Sequence, residues 1–260
     1  MCILLIAIDF VPGWPRVLLG NRDEFHARSS APAQPWRDAP DCVGGRDLAA
    51  GGSWLMQRND GRFAAVTNLR AGLPAAAPCS RGSLVRDFVI GSGSIEETAQ
   101  RVLADIDSYG PFNLVLGDAS AILVIDGSRA QSHRLGAGVH MLGNGPYGVR
   151  WARNERLRER FQRAIAEGMR DEDFLFGLLA DTAQPDDADL PDTGMGLERE
   201  RLLAPVFING EHYGTRASSL VMHDDEGRLL LRERRFGPGG GVLGEDVWEC
   251  ADGEAEWRPG

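Results

Sequence analysis

The chain has no lysine: every one of the 28 basic residues among its 260 is arginine. Lysine Schiff bases, pyridoxal-phosphate attachment and the phosphate-gripping lysine of a P-loop are thereby excluded. Positive charge of any kind is in deficit. A formal net charge of −10 gives a surface that repels polyanions at long range, so nucleic acid is not an expected partner. Cysteine is sparse as well. Cys2, Cys42, Cys79 and Cys250 lie far apart with no CxxC pair, which offers neither a zinc site nor a disulfide framework and suits free thiols in the cytoplasm. The histidines at 26, 133, 140, 212 and 223 show no HExxH spacing, so no metal is expected, and no cofactor is expected either. Long apolar runs are missing too. The stretch Ile3–Ile8 is too short to cross a bilayer and lacks the basic flank of a signal peptide, so no stable membrane insertion is expected. The glycines at 239, 241 and 244 imitate a dinucleotide-binding loop but have no βαβ unit to follow them, and a hairpin loop is the better reading.

What is present is ordinary globular material. Hydrophobic residues at 43% and charged residues at 25% are enough for one domain spanning 1–260. Residues 2–10 and 16–20 read as strands joined by the turn at 11–15, and 53–57 and 63–67 as a second hairpin around Asn59-Asp60-Gly61. Helical spacing follows in Leu84, Val85, Phe88 and Val89, and again from Ile95 to Ile106 behind a capping Ser94 or Ser92. Strand character returns in FNLVLGD, AILVIDG and 131–134, then come helices over 151–167 and 172–179. The acidic stretch 181–194 reads as solvated loop, and strands are expected at 213–223, 228–236 and 246–250. Segments 29–50, 70–80 and 184–204 are expected as loops that line a pocket. Alternating blocks of strands and helices predict an α+β protein, a four-layer α/β/β/α sandwich of two antiparallel sheets with strand 2–10 at its centre.

Chemistry concentrates at the amino end. Removal of Met1 would leave Cys2 with both a thiol and a free α-amine, whose ordinary pKa values of roughly 8.5 and about 8 allow proton transfer near neutrality. The neighbouring strand ends in Asn21-Arg22-Asp23-Glu24, and a hairpin would bring Arg22 and Asp23 to the thiol. An arginine there lowers the thiol pKa, and a carboxylate orients the α-ammonium.

Several ordered blocks then carry a resemblance: Met1-Cys2, NRDEF at 21–25, GGSWL at 51–55, Thr67-Asn68, RGSLV at 81–85, FNL at 112–114, LGNGPYGVRW at 142–151 and YGTRASS at 213–219. Together they resemble the NRDE family, the transport and Golgi organisation protein two family, over nearly the whole chain. Gln57 and His26 depart from its commoner wording. More distantly, the pattern is similar to cysteine-type N-terminal nucleophile hydrolases, which share an α/β/β/α fold and cleave non-peptide amide bonds.

The resemblance implies Cys2 as nucleophile, its freed amine as base, Arg22 beside the thiol and Asp23 on the amine. It further implies Asn68 and Asn144 as oxyanion donors or amine holders, and Arg216 as an arginine returning to the nucleophile from a late strand. The implied partner is a small-molecule amide. The alternative the resemblance carries is a non-catalytic protein that binds and moves haem or acyl-CoA and other lipids, with Cys2 or a histidine as an axial ligand.

Overall fold

The structure is a computed structural model that describes residues 2–70, 77–251 and 254–260. Met1, on which the processing expectation falls, and positions 71–76 of the expected 70–80 loop lie outside the described residues.

The apolar opening stretch forms β1 (Cys2–Val11), and it is buried on both faces because it is covered from both sides. Ile3, Leu5 and Ala7 pack under α3 (Ala152–Ala166) and α4 (Glu172–Gly177), against Leu157, Phe161, Leu175 and Phe176. Leu4 and Ile6 point the other way, into the space between two sheets. Alternation at period two produces this division, and each large apolar side chain fully withdrawn from water contributes about 1.5–3 kcal/mol.

The first sheet has strand order β10-β1-β2-β11-β12-β13-β14, antiparallel throughout, with β2 (Trp14–Phe25), β10 (Gly138–Leu142), β11 (Tyr213–His223), β12 (Leu229–Phe236), β13 (Val242–Cys250) and β14 (Arg258–Pro259). The second runs in sequence order, β3 (Ser30–Trp36), β4 (Ala39–Asp47), β5 (Leu55–Arg58), β6 (Phe63–Asn68), β7 (Phe112–Gly117), β8 (Ile122–Asp126) and β9 (Gln131–Arg134). Its outer face is covered by α1 (Arg81–Ile90) and α2 (Ile95–Ala104) through Leu84, Val85, Phe88, Ile95 and Val102. Ser94 and Glu97 close a reciprocal capping box at the start of α2. A short helix, α5 (Leu197–Leu202), follows the acidic stretch. Helices on both outer faces of two stacked antiparallel sheets make the expected four-layer α+β sandwich.

Three local expectations are corrected. The block at 21–25 does not follow a strand but lies inside β2, because β11 hydrogen-bonds alongside it, with Tyr213 opposite Phe25 and Thr215 opposite Asp23. The expected loop at 29–50 is the β3–β4 hairpin. Pro32 and Pro35 hide its alternation, and the register slips at those positions, as a residue without an N–H requires. Strand β10 was not anticipated, and it pairs with β1 through Leu4 opposite Leu142.

Gln57, one of the two departures from family wording, has a structural explanation. Its Oε1 lies 3.0 Å from Nε2 of buried His223, a polar pin between the sheets.

Candidate active site

Antiparallel pairing of β1 with β2 sets Cys2 directly opposite Arg22. Opposite residues share a face, so both side chains enter the space between the sheets. There the Arg22 guanidinium lies over the Trp54 ring, 4.3 Å from its centroid. Gly45 makes the room for that ring. A Cβ built on Gly45 would stand 2.0 Å from a Trp54 ring carbon, and one on Gly52 would stand 2.3 Å from the backbone of Gly82 in the first turn of α1. Gly45→Ala is expected to displace the indole and destabilise the fold by about 1–3 kcal/mol. A thermal melt read by tryptophan fluorescence would show both a lowered midpoint and a shifted native emission.

Asp23, the next residue on β2, faces the opposite way, toward α3. Its Oδ2 accepts from Arg153 Nη2 at 2.8 Å and its Oδ1 from Thr215 Oγ1 at 2.7 Å. Both members of the Asp23–Arg153 pair are buried. Tyr213 donates its hydroxyl to the Asp23 carbonyl at 2.9 Å, and burial together with the Asp23 charge holds that phenol well above its ordinary pKa.

Arg153 continues the network through Nη1, 3.3 Å from Asn144 Oδ1, and Asn144 Nδ2 donates to the Asn68 carbonyl at 2.8 Å. The turn that carries Asn144 is itself held from the second sheet. Thr67 Oγ1 donates to Gly143 O at 2.8 Å and Asn113 Nδ2 to Gly145 O at 2.9 Å. The sequence blocks TN, FNL and LGNG thus meet at one place.

A cleft of about 310 Å³ opens over Cys2. Arg22, Asp23 and Asn68 share its lining with Cys2, as do Trp54, Glu24 and the first turn of α1. Four of the six expected site residues therefore come together. The other two do not reach it. Asn144 is fully buried, with its Nδ2 donating to the Asn68 carbonyl and its Oδ1 accepting from Arg153. Arg216 sits at a register shift of β11 and donates to the carbonyls of Phe25 and Arg28, at 3.0 and 2.8 Å, clasping the connection that leaves β2.

Three residues with a place in the site were not anticipated. Trp54 and Arg81 lie within quoted blocks, whereas Arg153 falls two residues past the end of one, and nothing in its local spacing separates it from the other arginines of α3.

Burial is the largest influence on the Cys2 thiol and pushes it up; the Asp23 charge adds to this, while Arg22 and the backbone N–H of Asp23 oppose it. Cys79 also lines the cleft and is exposed. Among the described residues no group of three or more His, Cys, Asp or Glu is arranged to hold a metal, and no helix is long and apolar enough to cross a membrane.

Comparison with known proteins adds three findings. Residues 1–238 match the family described as Transport and Golgi organisation 2. The chain is 26% identical to the Transport and Golgi organization protein 2 homolog of Bos taurus over 98% of both chains, and 27% identical to that of Homo sapiens over 90% of this chain and 92% of that one. Among solved structures it is similar to a mutant conjugated bile acid hydrolase from Clostridium perfringens, with a TM-score of 0.52 at 10% identity, covering 100% of this chain and 92% of the other. That likeness is one of fold, the N-terminal nucleophile hydrolase sandwich.

Proposed function

The chain belongs to the Transport and Golgi organisation 2 family, and from that premise we propose that it is a cysteine amidohydrolase, cleaving a non-peptide carbon–nitrogen bond of an amide once Met1 is removed. The observation that carries this reading is the register of β1 on β2, which sets Cys2 opposite Arg22 and beside Asp23 at a cleft open to a small molecule.

In the acylation step the freed α-amine of Cys2 takes the thiol proton as Sγ bonds to the amide carbon. The proton passes to the departing nitrogen as the C–N bond breaks, leaving a thioester and a free amine. Water, deprotonated by the same amine, then cleaves the thioester and restores the thiol. Arg22 favours the developing thiolate, Asp23 holds the ammonium and Asn68 lies where an amide donor can face the oxyanion. Burial, which raises the thiol pKa, suits a site where proton transfer accompanies attack.

The test is intact mass before and after exposure to cysteine-directed acylating probes, with the adduct mapped by peptide. A mass lacking Met1 and an adduct on Cys2 rather than on exposed Cys79 are expected. Cys2→Ala and Cys2→Ser should fold and lose that adduct, and unchanged amide turnover in Cys2→Ala overturns the proposal.

A further inference from the structure

We propose that the amide hydrolysed at this cleft is short and polar and carries a free carboxylate, which Arg81 receives across the cleft from Cys2; the inference rests on the hydrolase reading above. Three arginines line the cleft, and they differ in what already occupies them. Arg28 is neutralised, with Nη2 2.6 Å from Asp47 Oδ2 and Nε 4.0 Å from Glu24 Oε2. Arg22 is 7% exposed and lies on Trp54, its charge next to the sulfur. Arg81 opens α1, and its hydrogen bond is to a neutral carbonyl, Pro111 O at 3.2 Å. Neither Arg22 nor Arg81 has a carboxylate within ion-pair distance among the described residues.

Withdrawing a guanidinium from water without a counter-ion is costly, and burial does lower the Arg81 pKa. Arg81 is also close enough to Cys2 and Glu24 for their charges to act on it. A guanidinium has five N–H donors in a plane that fits a carboxylate two-pronged, and one carbonyl leaves most of them available.

Size and polarity limit the rest of the molecule. A volume of about 310 Å³ is at the small end for a ligand pocket. Among the described residues its apolar side chains, besides Trp54 and Val66, are the alanines at 50 and 77. Behind Cys2 and Trp54 lies a second space of about 20 Å³, room for about one water and not for an acyl chain. A long acyl group would stay in solvent. The fitting class is a short N-acyl amino acid, which with one water yields a carboxylic acid and an amino acid.

The test uses the protein lacking Met1 and three amides: N-acetylglycine, its neutral isostere N-isobutylacetamide, and N-dodecanoylglycine, with release of free amine as readout. N-acetylglycine should have a kcat/KM ~10–100-fold above the neutral amide. Arg81→Gln should abolish that advantage, with the loss of preference falling on KM. Equal or faster cleavage of the neutral or the dodecanoyl substrate overturns the inference.

Two further readouts separate this inference from the reading beneath it. If p-nitrophenyl acetate acylates Cys2 but the carboxylate confers no preference, the substrate class alone is wrong; if nothing acylates Cys2, the hydrolase reading fails. Calorimetry on the Cys2→Ala variant tests the class without turnover. There N-acetylglycine should bind at least about tenfold tighter than N-isobutylacetamide, and this margin should vanish when Arg81→Gln is added. Equal binding of the two ligands overturns the inference.

Discussion

Asp23→Asn is expected to lower the rate of Cys2 acylation by roughly 10²–10⁴-fold and to destabilise the fold by about 3–5 kcal/mol. Both effects begin at one carboxylate. Arg153 lies buried on α3 with Nη2 2.8 Å from Asp23 Oδ2, and a neutral amide there leaves a desolvated guanidinium without its counter-charge. Breaking a buried pair from one side costs far more than the intact pair contributes. The catalytic loss has a separate origin, because Asp23 is the carboxylate proposed to hold the ammonium of Cys2. A double variant separates them: Asp23→Asn with Arg153→Met removes the stranded charge, so much of the stability should return while acylation stays low. Urea midpoints and burst amplitudes with an activated ester measure the two quantities. Recovery of acylation together with stability would assign Asp23 a purely structural role.

The second large effect concerns two titratable groups buried away from the helices. His223, pinned to Gln57 and edge-on to Phe63, is pushed down to about 3 by burial, with Arg16 adding to the effect. Because the unfolded chain binds the extra proton first, the stability His223 contributes is complete above its ordinary value of 6.5 and is lost as pH falls toward 3. Glu233 behaves oppositely. Burial pushes it up to about 7 from an ordinary 4.5, while its oxygens accept from Ala33 N at 2.9 Å and Ser219 Oγ at 3.4 Å. The folded chain holds that proton more tightly, so its contribution is complete below 4.5 and is lost as pH rises through 7.

Between pH 4.5 and 6.5 the two slopes oppose each other, each about 1.4 kcal/mol per pH unit. Relative to the parent, His223→Gln should then lose stability as pH rises across this window, and Glu233→Gln should gain it. Urea unfolding at pH 4.5, 5.5 and 6.5 decides the matter. Parallel curves for both variants and the parent would mean that neither group is held away from its ordinary pKa.

Much of the architecture was legible because it follows from local pattern. The two-sided apolar run at 2–10 called for a strand covered on both faces, and a capping serine at 94 or 92 marked the start of α2, where the structure has Ser94. The β3–β4 hairpin was not legible, since Pro32 and Pro35 break the alternation from which strands are recognised.

At the site, the sequence by itself indicated that a hairpin brings the Arg22-Asp23 pair to Cys2, because strands 2–10 and 16–20 are joined by a short turn, whereas the pairing that draws 21–25 into β2 came from β11. Lacking any lysine, it also left arginine as the sole permanent side-chain cation. Tertiary structure decided which polar groups face the cleft. Asn68 does, whereas Asn144 is buried behind it and Arg216 is turned onto the connection leaving β2. It also brought Arg153 to Asp23 across 130 residues and set Arg81 over the same cleft as Cys2. The reason is physical: a strand's alternation fixes which face a side chain takes, but a buried charge is placed by whichever distant partner satisfies it, and that partner is brought near only when the layers pack.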